Sequence, residues 1–477
     1  MEQIGKRATK GAIWASLDKF CMMGLQFVVN LILARLLLPA DFGAIGILAI
    51  FIAVSTVLID GGFGSALIQK KLPSQKDYST IFYWNLFFST VLYCLLFISA
   101  PIVAQYFRIS ILSTVLRVIG INLIFNSIQT VQRVRLQKSL AFKNLALTNI
   151  CAYILGSGVG IFMAYNNAGV WSLVFMQIVC SVFGVFMLYM ITKWHPSICF
   201  STQSWKELFS FGGYMMAASI LQEICKNLQG IIIGKKFSAT EMGLYSQAYK
   251  LDRIISYSIP QVIVQVMYPV YSSIQDERKR LNEMVLMNMR VVSYIVFPIL
   301  TFLLIVAKPL ILALYGDHWL ASVPYFQVLC IGGYFVCLQN INFYAVAAIG
   351  KSKSLFRWSF YKWGFLLLAL LIGMNFGMYG ILWGINISNL NIFLVNVFLA
   401  SKHNNLSIRN QLNTLMPIVC VLLVGLLISL GLQYCGVNVI VSGILLIITF
   451  VILSISFKLR AYSDFLWVLK KLIKRKV

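Results

Sequence analysis

Four residues in the first long apolar run, Lys19, Met23, Gln26 and Asn30, recur at i, i+4, i+7 and i+11. That spacing places them on one face of a helix. Ser219, Glu223, Lys226 and Gly230 keep the same spacing 200 residues later, so two runs present related polar faces. Arg117 precedes a second stripe, Asn122, Asn126 and Gln129. Lys250, Asp252 and Arg253 precede Tyr257, Gln261 and Gln265. Bases in apolar surroundings attract phosphate oxygens through charge-assisted hydrogen bonds, and side-chain amides suit sugar hydroxyls. A charge at a bilayer centre costs about 2.5–3.5 kcal/mol on insertion scales, so such groups are expected to face a cavity or a partner.

Each stripe also has a structural reading. Asp18, Lys19, Lys250, Asp252, Arg253 and Arg290 fit the interface, where they snorkel or pair. Glu223 and Lys226 sit one turn apart and can neutralise each other. Arg117 has no evident local partner, which favours a cavity. The Asn stripe serves equally as glue between helices. Asp60, beside Gly61 and Gly62, reads as a cap. His195, His318 and His403 fall in separate loops, and the ten Cys form no CxxC pair. No metal, cofactor or disulfide framework is expected.

The elements that position these residues follow from composition. Of 477 residues, 60% are hydrophobic and 11% charged, whereas a soluble domain carries roughly 25% charge. A bilayer core about 30 Å thick takes about 20 helical residues to cross. The apolar runs predict fourteen spans, near 11–37, 41–68, 78–106, 110–134, 142–165, 168–192, 205–233, 241–271, 286–314, 321–348, 354–376, 378–401, 411–434 and 436–458. The fold class is therefore all-α and polytopic. The first run holds Asp18 and Lys19 and lacks a small-residue cleavage site, so it reads as a retained helix and not a signal peptide.

The formal charge of +25 belongs to a membrane face and not to nucleic-acid binding. By the span assignment, 28 of the 39 Lys and Arg fall at the termini and in alternate loops, while the opposite loops hold only Arg35, Arg108, Lys235, Lys236 and Lys308. This bias predicts both termini in the cytoplasm. The basic tail, Lys470 to Lys476, fits an interfacial helix on anionic lipid or a solvated tail. No loop is long enough for a soluble domain, and no Walker A motif is present, which argues against ATP hydrolysis.

Arg35 to Gly43 matches Lys235 to Gly243 at the 200-residue offset. Each segment ends one run with a base and opens the next with an acid, Asp41 or Glu241. Ala100-Pro101-Ile102 and Lys308-Pro309-Leu310 keep a similar offset, as do Gly169-Val170-Trp171 and Gly380-Ile381-Leu382. Spans 1–6 thus repeat as spans 7–12, in parallel, about an axis along the membrane normal. The expected organisation is a six-helix lobe at 1–200, a second at 201–405, two extra helices at 406–460 and a basic cytoplasmic tail at 461–477. Such repeats usually build two lobes around a central cavity.

Four segments carry a resemblance: Leu33 to Gly43, Asp60 to Lys70, Gly243 to Leu251 and Tyr315 to Leu320. They resemble the polysaccharide flippases of the multidrug/oligosaccharidyl-lipid/polysaccharide (MOP) superfamily. The branch is the one that includes colanic acid and teichuronic acid exporters and Wzx-type O-antigen flippases. The resemblance runs over nearly the whole chain. It implies two six-helix bundles plus two helices in the bacterial inner membrane. It also implies alternating-access movement of an undecaprenyl-pyrophosphate-linked oligosaccharide, without enzymatic activity. On that reading Lys19, Arg117, Lys226 and Arg253 form a cationic lining for the pyrophosphate. Gln26 and Asn30 meet sugars, and Glu223 either holds Lys226 or carries a coupling proton. The partners are the lipid-linked substrate and membrane lipids. A coupling H+ or Na+ and the polymerase or export components are further candidates.

Three rivals are open. A multidrug antiporter of the same superfamily typically has twelve spans and acidic binding residues, whereas here interior bases outnumber acids. A polymerase or ligase is expected to carry a sizeable outer loop. A lipid II flippase shares the span count, but the four segments fit the polysaccharide branch better.

Overall fold

Backbone amides in hydrocarbon must be paired within their own segment or a closed barrel. This chain takes the helical solution. The computed structural model describes the backbone of residues 2–70 and 72–474. It leaves aside side chains at 2–13, 15–16, 69, 210–215, 217–218, 221–222, 225–226, 265–266, 269, 352, 468–469 and 471–474. No strand occurs among the described residues. The helices cluster into two compact units, Met1–Gly243 and Leu244–Val477.

The first unit holds α1 (Glu2–Leu36), α2 (Pro39–Asp60), α3 (Phe63–Gln69), α4 (Gln75–Phe107), α5 (Ile111–Ile119), α6 (Asn122–Lys138), α7 (Phe142–Tyr165), α8 (Val170–Thr192) and α9 (Thr202–Lys236), and it closes with the start of α10 (Ala239–Arg253). In the second unit α10 runs through a π-helical turn, Ile254–Ser258, into α11 (Ile259–Ser273). Then come α12 (Arg278–Ile305), α13 (Ala307–Tyr315), α14 (Val323–Ala348), α15 (Ser352–Gly373), α16 (Gly377–Asn404), α17 (Ile408–Tyr434), α18 (Val439–Ser456) and α19 (Arg460–Lys474).

Each of the fourteen expected spans falls on one helix or a broken pair. Among the described residues, eleven segments are long and apolar enough to cross a membrane, and one of them, Lys353–Asn404, contains both α15 and α16. The helices outside those segments are α9, α10, α11, the short α13 and the terminal α19. Among these, α9 carries Glu223, and α10 carries Lys250, Asp252 and Arg253.

Local chemistry sets the helix ends. Asp41 accepts the Leu38 amide at 3.0 Å, in the first turn of α2. It also accepts from the Val170 amide at the start of α8. Ser74 and Asp77 exchange amide bonds at 3.2 and 2.8 Å, a capping box that opens α4. Asp60 ends α2 and accepts from the Gly62 and Gly64 amides, in agreement with its reading as a cap.

Gly43 and Gly243, both in the first unit, meet reciprocally. A Cβ at Gly43 would lie 1.6 Å from the Ala239 carbonyl oxygen, and one at Gly243 would lie 1.8 Å from that of Pro39. The partners stand at the same 200-residue offset as the glycines. Reciprocal pairing of this kind is what a local two-fold axis produces.

The loops sort by face. In the first unit Lys70 pairs with Asp77 at 3.0 Å and Glu207 at 3.3 Å. Lys138 donates to the Leu67 carbonyl at 3.0 Å, and Gln75 to the His195 carbonyl at 3.0 Å. Three of the basic loops thus share one face. On the other face the Lys235 ammonium donates to the Tyr106 carbonyl at 2.6 Å, joining two of the sparsely charged loops. In the second unit Asn282 donates to the Asn404 carbonyl at 2.9 Å, and His403 bonds Ser354 at 3.0 Å, again linking basic loops.

Candidate functional site

Three faces of α1 have different surroundings. Val29 is buried, and Asp18, on that side, reaches α7. Leu17, Phe20 and Val28 form an exposed apolar face suited to lipid. Lys19, Met23, Gln26 and Asn30 lie between these two. Lys19 and Gln26 are exposed and Asn30 is half-buried. An exposed polar stripe within a membrane helix needs water or a polar ligand, because hydrocarbon cannot satisfy it.

Beside that stripe a chain of hydrogen bonds fixes α1 to three helices. Asn149 donates to Asp18 Oδ2 at 3.0 Å, and Arg133 Nη1 donates to Asn149 Oδ1 at 3.0 Å. Arg133 Nη2 donates to Gln129 Oε1 at 2.9 Å, and Gln129 Nε2 to the Ser181 carbonyl at 2.8 Å. Asp18 is thus bonded into the protein and does not snorkel. Gln129 serves as glue between helices, the structural reading of its stripe.

Arg117 corrects the sequence expectation that it has no local partner. Its Nε donates to the Phe97 carbonyl at 3.3 Å, and its guanidinium lies 4.7 Å from the Phe97 ring centroid. The cause is Pro101, inside α4. Proline has no N–H, so the carbonyl four residues earlier loses its helical donor, and that carbonyl is Phe97.

On α9, Glu223 is half-buried, and Asn227 donates to its backbone carbonyl at 2.9 Å and to its carboxylate at 3.4 Å. The side chain of Lys226 lies outside the described residues, and with it the expected Glu223–Lys226 pair.

Arg253 ends α10 with its guanidinium 4.8 Å from the Tyr249 ring centroid and 5.4 Å from that of Tyr257. Lys250 and Tyr257 are exposed on the same side. Asp252 takes the opposite side. It is 3% exposed and accepts from Ser256 Oγ at 3.0 Å. Asp252 therefore does not snorkel: the side chain is inside the second unit. The π turn that follows is a bulge of the kind often found at functional sites.

One buried base escaped the sequence reading. Lys362 is 7% exposed, ten residues into α15, and donates to Asn396 Oδ1 at 2.5 Å. Asn396 in turn donates to the Gln339 carbonyl at 2.9 Å. Among the described residues no carboxylate pairs with Lys362. The signal available in the sequence was depth. Ten residues of helix separate Lys362 from the start of α15, about 15 Å at 1.5 Å per residue, too far for easy snorkelling.

Residues 32–324, more than half of the chain, match the family described as polysaccharide biosynthesis protein. The chain belongs to this family. The teichuronic acid biosynthesis protein TuaB of Bacillus subtilis (strain 168) is 26% identical over 360 residues, 75% of this chain and 74% of TuaB. The succinoglycan biosynthesis transport protein ExoT of Rhizobium meliloti (strain 1021) is 23% identical over 354 residues, 74% of this chain and 72% of ExoT. The fold of this chain is similar to that of the lipid II flippase MurJ in its inward closed conformation. That superposition has a TM-score of 0.73 at 15% identity and covers 94% of this chain and 99% of MurJ. The all-α polytopic expectation is thereby met.

Proposed function

We propose that this chain is a flippase that carries a lipid-linked oligosaccharide across the bacterial inner membrane for surface polysaccharide synthesis. The observation that carries the reading is the exposed polar stripe of α1, with Lys19 and Gln26 on a face distinct from the apolar one. A base in a water-filled lumen suits a pyrophosphate, and neighbouring amides suit sugars. Lys250, Arg253 and Tyr257 offer a second cationic and aromatic face in the second unit. Lys226 belongs to the same proposal through its spacing, and Glu223 beside it is the candidate for a coupling proton. Arg117 belongs to the same proposed lining, with its guanidinium held by the Phe97 carbonyl.

Membership in the polysaccharide biosynthesis family and the names of TuaB and ExoT support a glycan substrate. The multidrug reading is weakened because Asp18 and Asp252 are both turned into protein and away from the exposed stripes. The proposal includes two parallel six-helix repeats, cytoplasmic termini, no catalytic step of its own, and coupling to H+ or Na+. The test is glycan export in a deletion strain complemented with the wild type or with Lys19→Glu. Loss of export at normal protein level supports the reading. Undiminished export removes the stripe from the transport path.

A further inference from the structure

A cavity of about 370 Å³ opens in the second unit where the starts of α12 and α17 meet the turn between α18 and α19. Arg290, Lys458 and Arg460 line it, with Asn410, Asn413 and Thr414 completing the polar lining. The local backbone explains how the bases converge. The Lys458 amide bonds the Ile455 carbonyl and the Leu459 amide bonds the Ser454 carbonyl, each at 3.0 Å, with Lys458 at φ +47°. This is a Schellman ending, made here with a left-handed lysine. It reverses the chain so that Lys458 and Arg460 flank the cavity mouth.

The opposite edge is set by docking of α19 on α12. Arg290 Nε donates to Asp464 Oδ2 at 2.6 Å, and the Tyr294 and Phe465 rings lie 5.5 Å apart. Asp464 is thus engaged by Arg290, while neither the Lys458 ammonium nor the Arg460 guanidinium has a hydrogen-bond or ion-pair partner among the described residues. Three bases face one acid, with hydroxyl and amide groups to complete an anion's coordination.

The surroundings of the cavity select the anion. Leu412 and Met416 on α17, and Ile455 and Phe457 at the end of α18, are exposed and apolar. Both helices are apolar enough to cross the membrane. The cavity therefore sits at the polar end of two lipid-facing helices. A ligand that satisfies both parts has a phosphate at one end and hydrocarbon at the other. We propose that this cavity binds the phosphodiester headgroup of an anionic membrane phospholipid, with its acyl chains along α17 and α18. Basic pockets between membrane helices are established headgroup sites in general.

The experiment uses the full-length protein in neutral detergent. Thermal unfolding is recorded with short-chain phosphatidylglycerol, short-chain phosphatidylcholine or inorganic phosphate at matched concentration. Phosphatidylglycerol is expected to raise the midpoint of the wild type, and the other two to leave it nearly unchanged. Lys458→Ala/Arg460→Ala should lose most of that shift. Lys353→Ala/Arg357→Ala removes two exposed bases from the start of α15 and should keep it. If the first double variant does not fold, Arg460→Gln alone carries the same readout. The proposal is overturned if phosphatidylglycerol gives no shift, if phosphatidylcholine matches it, or if both double variants lose it equally. A shift with inorganic phosphate as large as with the lipid would make this a free-anion site and overturn the lipid assignment.

Discussion

Arg117 donates to the carbonyl of Phe97, the acceptor that Pro101 strips of its helical donor. An arginine that reads as a lone membrane charge is thereby the repair for a proline elsewhere. Removing Arg117 leaves a carbonyl unpaired, which costs about 1–3 kcal/mol if no water reaches it. Arg117→Ala is therefore expected to lower thermal stability, and Pro101→Ala in the same chain to restore most of it by returning the N–H. Equal unfolding midpoints for the single and double variants would refute the pairing.

Lys362 and Asn396 form a buried pair of a different kind. Replacing Asn396 with Leu strands a charge inside protein, whereas Lys362→Met removes the charge and keeps the apolar stem. Asn396→Leu should be the more destabilising single change. Lys362→Met/Asn396→Leu should be milder than Asn396→Leu alone, a coupling of about 1 kcal/mol or more in a double-mutant cycle. Additive midpoints would show that the bond contributes nothing.

Gly43 is a steric requirement. With a carbonyl oxygen 1.6 Å from its built Cβ, even Gly43→Ala forces the first turns of α2 and α10 apart. Folded protein, measured by size exclusion, should fall sharply for Gly43→Ala and Gly243→Ala. Gly24→Ala, which meets nothing within 4 Å, should behave as wild type.

The sequence made the helices legible because a bilayer demands long apolar runs, and each expected span falls on a helix. The spacing of Lys19, Gln26 and Asn30 was legible for the same reason: the period of a helix is fixed. The partner of Arg117 was not, because the orphaned carbonyl lies on another helix and carries no residue type of its own. Asp252 and Arg253 are adjacent in sequence yet differ in burial, and only the packing of α14 beside α10 shows which is inside: a Cβ at Gly333 would lie 3.0 Å from Asp252 Oδ1. Lys362 was hidden by its setting, a single base among apolar neighbours whose acceptor, Asn396, comes from α16.

Sidedness has its own check. With cytoplasmic termini, single cysteines at Ser139 and Ser407 should resist an impermeant thiol reagent added outside intact cells. Cysteines at Asn167 and Asn438 should react. A chain cleared of its native cysteines is the background. The opposite labelling pattern would invert the topology and place the basic loops outside.

The central claim is that bases on the polar stripes meet the substrate's phosphates. Glycan export is measured for Lys19→Ala, Lys19→Glu, Arg253→Ala and Arg253→Glu at matched membrane levels, beside Lys353→Glu as an exposed base in the first turn of α15. Each Ala variant is expected to weaken export, and each Glu variant to abolish it, since a carboxylate repels what a base attracts, while Lys353→Glu exports normally. Wild-type export from both Lys19→Glu and Arg253→Glu would contradict the account and leave these residues as anchors.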